Sequence, residues 1–331
     1  MAGNRIASVD GLRAIALGLV LGAHAAPQVM PSGGVGVDLF FVISGFVITR
    51  HLYEEKPAFR RFFLNRILRL WPASMLVLGF VVLLLWAGYD YATPTGLIAS
   101  LTGWMNWARA FDMVPGYGGR LGHYWSLGVE EQFYLIWPAL LALVLAGRRN
   151  PVVLLLAIIA AVTVWRVVLF FDGASGMRIY NGLDTRADAL AIGCLLYFVK
   201  WRASIILGVA ALAGLLVLAL IPAELGSAYD LARYSIVGGL SFIAVGAAAS
   251  GGGMRNSLLA AAPVHWMGRR SYAIYLWHYP VIGLASAIGV AAGVRGAVYV
   301  GAAIIVSLVA AELTYRLVER PIDRWRHSRL G

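Results

Sequence analysis

Apolar runs long enough to cross a bilayer recur from one end of this 331-residue chain to the other, and they constrain its fold more tightly than anything else in it. About twenty predominantly apolar residues make one helical span. A water-soluble domain would alternate core and surface instead. Candidate spans fall at about 12–30, 35–50, 71–88, 125–146, 151–171, 185–199, 204–221, 233–250, 271–291 and 296–316. With 60% hydrophobic and 13% charged residues, too little charge remains between these runs to clothe a soluble globule. Alternating strand patterns are absent, which argues against an outer-membrane barrel. The predicted fold class is therefore all-α: a polytopic integral membrane protein of about ten transmembrane helices.

Positive charge sets the orientation, because Arg and Lys gather in cytoplasmic loops. The stretch TPTGLIASLTGWMNW is apolar but short and interrupted by polar residues. If it stays on one side, twenty of the 27 basic residues share a face, Arg5, Arg255, Arg148, Arg149, Lys200 and Arg202 among them. If it crosses, GRRN at 147–150 and VKWR at 199–202 move outside. Both termini are accordingly expected in the cytoplasm, and the formal charge of +11 is assigned to orientation rather than to nucleic acid. The long connection from about 88 to 124, with VPGYGGRLGHY, is expected to form an irregular lid or a re-entrant segment. Arg5, AIALGLVLG and AHA imitate a cleaved leader, but Asp10 and Arg13 are out of place in one. A single membrane-embedded domain over 1–331, with no appended soluble domain, is expected to hold whatever activity exists.

Polar residues inside the spans then become candidates, because they are costly in hydrocarbon. In DGLRAIALGLVLGAH, Arg13 and His24 lie three helical turns apart on one face, about 16 Å along the axis. Asp10 precedes them. Asp38 opens the second span, Glu130 and Glu131 sit one to two turns inside the fourth, and Asp184, Arg186 and Asp188 mark the start of the sixth. Arg166 lies near the same depth. Any one of these charges can be a solvated or snorkelling interface residue, and a pair such as Glu130 with Arg186, or Asp188 with Arg186, can be purely structural. In RRFFLNRILRLWP, Arg66 and Arg69 share a helical face. Anionic lipid explains them, and so does a phosphorylated ligand held with Arg13. His278 precedes Pro280 at an expected kink. His51, His123, His265 and His327 fall at span ends or loops with no metal-ligand spacing, and no metal is expected. Cys194, the only cysteine, excludes an internal disulfide.

At these residues the chain resembles the membrane acyltransferase 3 family, which includes bacterial O-acetyltransferases acting on surface sugars. VDGLRAIALGLVLGAH, GVDLFFVISGFVIT, LNRILRLWP, HYWSLGVEEQFYLIWP, TRADALAIG, GRRSYAIYLWHYP and LVERP follow the order of the family's motifs from Asp10 to Pro321. The resemblance implies a ten-span enzyme of the bacterial cytoplasmic membrane that uses acetyl-CoA, or a related acyl-CoA, from the cytoplasm. The acceptor it implies is a hydroxyl of a cell-surface, exported or lipid-linked glycan, and the other partners are membrane lipids. On this reading Arg13, Arg66 and Arg69 hold the CoA phosphates while the pantetheine arm threads beside the first helix. His24 is expected to act at the acyl carbon as general base or transient acyl carrier. Glu130 orients His24 or stabilises its imidazolium, and Arg186, held by Asp188, binds the acceptor. Asp10, Asp38 and His278 are supporting residues. The alternative is a proton-coupled transporter or flippase of a sugar-containing substrate, because His and Glu relays in membranes also move protons.

Overall fold

A computed structural model describes residues 7–250, 259, 261–293 and 296–330 of the chain. Arg5 and Arg255 lie outside the described residues. Every regular element among the described residues is helical, and eight helices are long and apolar enough to cross a membrane. These are α1 (Ala7–Ala25), α2 (Val35–Glu55), α3 (Phe59–Trp86), α6 (Tyr124–Ala146), α7 (Pro151–Phe171), α11 (Ala228–Ala249), α13 (Ser271–Ala291) and α14 (Gly296–Thr314). The shorter α9 (Leu183–Val199) and α10 (Ile205–Leu220) complete ten rods at the ten expected positions. Exposed Val153, Leu156, Val164 and Val168 on α7, and Ile305, Val306 and Val309 on α14, give those helices apolar outer faces suited to lipid.

Several boundaries differ from expectation, those of two spans most. The first span runs 7–25 instead of 12–30, and the third starts at Phe59, twelve residues before position 71. Hydropathy misses the start of α3 because RRFFLNR is charged, yet its residues are good helix formers and continue through Pro72. Pro280 likewise lies inside a continuous α13. Beyond α14, a π-turn at Tyr315–Glu319 leads into the basic α15 (Arg320–Leu330).

The stretch 94–110 does not cross. It forms α4 (Pro94–Leu101) and α5 (Met105–Ala110), broken at Gly103, whose φ of +73° suits a residue without a side chain. Gln132 of α6 holds this break: its Nε2 donates to Gly103 O at 2.8 Å and to Asn106 Oδ1 at 2.8 Å, and its Oε1 accepts from Trp107 Nε1 at 3.0 Å. Gln132 stands eight residues into α6, about 12 Å below its start. The segment is a helical hairpin whose arms are each too short to span a membrane, fastened to α6 by one amide side chain. A 3-10 turn (Pro115–Leu121), past the short α5, returns the chain to α6.

Around the middle of the bundle α2 and α9 touch backbone to backbone. A Cβ on Gly45 would strike the Leu190 carbonyl, and one on Gly193 the Val42 carbonyl. Small residues that let helices approach are the usual means of packing inside a membrane. Trp137 Nε1 donates to Thr49 Oγ1 at 2.9 Å, joining α6 to α2, and Ser8 Oγ donates to Ala248 O at 2.7 Å, joining α1 to α11.

Candidate active site

His24, one residue before the end of α1, meets His278 from the middle of α13: His24 Nδ1 and His278 Nε2 are 3.1 Å apart. His278 Nδ1 lies 2.6 Å from the Tyr275 carbonyl. A carbonyl only accepts, so His278 Nδ1 carries the hydrogen. In the neutral ring His278 Nε2 is then an acceptor, and His24 Nδ1–H donates to it. The network thereby assigns the His24 tautomer and leaves Nε2 of His24 as a bare lone pair. His278 is fully buried, whereas His24 is partly exposed.

A third histidine completes the cluster. His123, the residue before α6, packs its ring 5.5 Å from that of His278 and 5.2 Å from Tyr279, while Tyr279 stands edge-on to His24 at 4.8 Å. His123 Nε2 faces the Leu276 carbonyl at 3.2 Å and therefore carries the hydrogen, and its buried Nδ1 has no hydrogen-bond partner. Burial lowers the His123 pKa to about 3, so this ring stays neutral. From α5, Arg109 donates to Gly122 O at 2.7 Å and acts electrostatically on both His24 and His123. Neither His123 nor Arg109 stood among the expected site residues. His123 lies in a loop by hydropathy, and only the fold of the helical hairpin brings Arg109 inward.

Glu130 lies in a separate layer. Its carboxylate accepts from Ser44 Oγ at 2.7 Å and from Tyr134 OH at 3.1 Å, and it is not bonded to His24. The expected Glu130–His24 pairing is thus corrected: His278 takes that place. Depth along a helix says how far a residue has entered the membrane but not which neighbour it faces. Glu130 faces the arginines, for Arg66 from α3 and Arg13 from α1 both act on it electrostatically. The Arg66 guanidinium lies 4.0 Å above the Tyr134 ring with its buried Nε unbonded. Arg13 is bonded to Asp10 at 2.8 Å, and Asp10 Oδ2 lies 3.6 Å from His265 Nε2. Arg69 is exposed on α3.

The other expected pairing is also redistributed. Asp38, not Asp188, bonds Arg186, and the Arg186 guanidinium lies 4.3 Å from the Tyr234 ring and 5.3 Å from that of Tyr180. Asp188 instead makes a two-pronged bond to Arg166, at 2.6 Å and 3.1 Å. Both pairs are buried, on opposite sides of α9. Among the described residues no group of three or more His, Cys, Asp or Glu side chains is arranged to hold a metal.

The site therefore has two floors. A base with a defined tautomer and a nearby cation, Arg109, occupy the end where α2, α6 and α9 begin. A carboxylate that gathers Arg13 and Arg66 lies beneath them, toward the basic end. The family described as Acyltransferase domain matches residues 6–316. The chain is 33% identical to the peptidoglycan O-acetyltransferase OatA of Listeria monocytogenes, over 96% of this chain and 56% of that protein. It is 32% identical to the putative peptidoglycan O-acetyltransferase YrhL of Bacillus subtilis, over 96% and 55%, and 29% identical to the O-acetyltransferase OatA of Staphylococcus aureus, over 96% and 57%. The chain thus spans about half the length of the curated relatives it matches. No solved structure matches it.

Proposed function

This chain belongs to the membrane acyltransferase 3 family, and on that premise we propose that it transfers an acetyl group from acetyl-CoA, bound at the basic end of the bundle, to a hydroxyl of an envelope glycan. The observation that carries this reading is the Tyr275 O–His278–His24 chain, which leaves the His24 Nε2 lone pair as a base. Peptidoglycan is the acceptor class favoured by the names of the relatives, and the bacterial cytoplasmic membrane is the compartment this implies.

A thioester is already activated, so the demand falls on the acceptor. His24 Nε2 removes the proton of the sugar hydroxyl as its oxygen attacks the acetyl carbonyl carbon. His278 accepts from the other side of the His24 ring and favours the imidazolium that forms. The oxyanion of the tetrahedral intermediate develops beside Arg109, a cation held in place before the reaction begins. Collapse breaks the C–S bond, and the His24 imidazolium returns the proton to the departing thiolate. The products are the O-acetyl sugar and CoA. At the opposite floor, Arg13 and Arg66, with Arg69 beside them, take the CoA phosphates. The 16 Å or so between Arg13 and His24 along α1 suits an extended pantetheine arm. Glu130 is a positioning residue on this reading, aligning Arg66 and Tyr134 where the arm passes.

The test is purified full chain in nanodiscs with acetyl-CoA and peptidoglycan oligosaccharides, following CoA release and ester formation. Wild type should bind acetyl-CoA and form ester. His24→Ala should keep binding and lose turnover by about 10²-fold or more, while Arg13→Ala should weaken binding. A folded preparation with no affinity for acetyl-CoA, or sugar uptake that proceeds without any acyl donor, overturns the reading.

A further inference from the structure

Arg120 takes no part in the transfer chemistry proposed for His24, yet its placement is closely determined. Its backbone N–H donates to Tyr91 O at 3.0 Å, and Tyr91 OH in turn donates to Pro280 O at 3.2 Å, tying the 3-10 turn to α13. Gly118 and Gly119, with φ of +93° and +57°, make the turn that aims the residue. Its side chain then lies across Gly283, where a Cβ would stand 2.5 Å from Arg120 Cδ and 2.6 Å from Nε. A side chain at 283 would force the guanidinium to move from this place. Gly283 is four residues past Tyr279, about 6 Å along α13, and Tyr279 is the ring edge-on to His24.

A cation held so specifically should have a partner, and the other arginines buried in this half of the bundle do. Arg166 is matched by Asp188, Arg186 by Asp38 and Arg233 by Asp230. Arg120 is half-buried, and its guanidinium has no hydrogen bond or ion pair among the described residues. Removing a charge partly from water without compensation is costly, which points to a counter-ion supplied by a ligand. Arg120 sits on the far side of His24 from Arg13 and Arg66, so that ligand is not the donor.

We propose that Arg120 binds an oxyanion, carboxylate or phosphate, carried by the acceptor, in the planar two-pronged manner that guanidinium allows. The anchor lies about one turn of α13 beyond Tyr279, the ring that faces His24. It holds the acceptor by its charge while the hydroxyl of a neighbouring sugar meets Nε2. The inference rests on the acetyltransfer reading for taking the ligand to be a glycan. It predicts that the enzyme selects acceptors bearing negative charge.

Equilibrium binding tests it without turnover, using the full-length His24→Ala protein in nanodiscs with and without Arg120→Gln or Arg120→Lys. The probes are peptidoglycan oligosaccharides with free peptide carboxylates, the same oligosaccharides amidated to neutrality, and a polyprenyl-pyrophosphate-linked disaccharide. Arg120→Gln should weaken binding of an anionic acceptor about tenfold and leave the neutral one and acetyl-CoA unchanged, with Arg120→Lys between. Loss confined to the peptide-bearing probe identifies a carboxylate, and loss confined to the lipid-linked probe a pyrophosphate. Equal affinity of wild type and Arg120→Gln for every probe, or equal loss for charged and neutral probes, overturns the proposal. Failure of the acetyltransfer reading would show separately, as absence of acetyl-CoA binding to the same preparations.

Discussion

On the acetyltransfer reading, His278 is the residue on which the chemistry of His24 depends without itself meeting the substrate. Its replacement by alanine removes the acceptor that His278 Nε2 offers to His24 Nδ1–H and loosens the hold on the productive tautomer. Steady-state CoA release from His278→Ala should fall about 10²-fold in kcat, with KM for acetyl-CoA little changed; a pure rise in KM would show that His278 serves binding instead. Asp38 makes a different kind of prediction. Asp38→Asn strands the buried Arg186, a loss of about 3–5 kcal/mol, to be read as a lowered melting temperature in detergent. The double change Asp38→Leu, Arg186→Met should recover much of it, since a buried pair is weak support compared with good apolar packing. What the sequence revealed at this scale is uneven for a physical reason. Arg13 and His24 share one helix, so their spacing follows from helical rise alone. The His24 partner lies 254 residues away, and Glu130 could be placed in depth but not in azimuth. The pairing of Arg186 with Asp188 fails for a different reason: two residues apart on one helix, they point about 200° away from each other, and each takes its partner from another helix.

Among the elements, hydropathy located all ten rods because each buries or greases a run of apolar residues. It misjudged ends wherever charge continues a helix, as at the start of α3. Positive charge, not hydropathy, indicated that 94–107 does not cross, and the density of Gly and Pro after it suggested an irregular lid or a re-entrant segment. The helical form of that segment depends on Gln132, whose side chain satisfies Gly103, Asn106 and Trp107 together. No local pattern announces such a contact. Helix packing makes its own prediction. Gly193→Leu must push α2 from α9, because its Cβ meets the Val42 carbonyl, a rigid neighbour. A loss of about 3 kcal/mol or more is expected, seen as a lower melting temperature. Gly79→Ala on α3 meets nothing within 4 Å and should instead be neutral or gain up to about 1 kcal/mol of helix propensity. If both variants melt alike, the α2–α9 approach is not what the glycines serve.

For the whole molecule, the distribution of arginine and lysine predicts that the connection between α9 and α10 faces the cytoplasm and that between α7 and α9 faces outward. In a Cys194→Ser background, a membrane-impermeant maleimide added to intact cells should label Asp172→Cys and spare Arg202→Cys, both positions being exposed. The reverse pattern would invert the molecule and put the histidine floor on the donor side. This expectation rests on charge alone, since it needs only a count of residues per loop and no knowledge of packing. The close seam between α2 and α9 bears on how such a machine can move. Two helices that interlock through their own carbonyls, and are stapled at one end by Asp38 and Arg186, form a single plank with no joint for a wedge. A motion that split the molecule between these two helices to expose its contents alternately would have to break that seam. On the acetyltransfer reading, sugar and product then pass along the flank, beside the short hairpin that Gln132 fastens to α6.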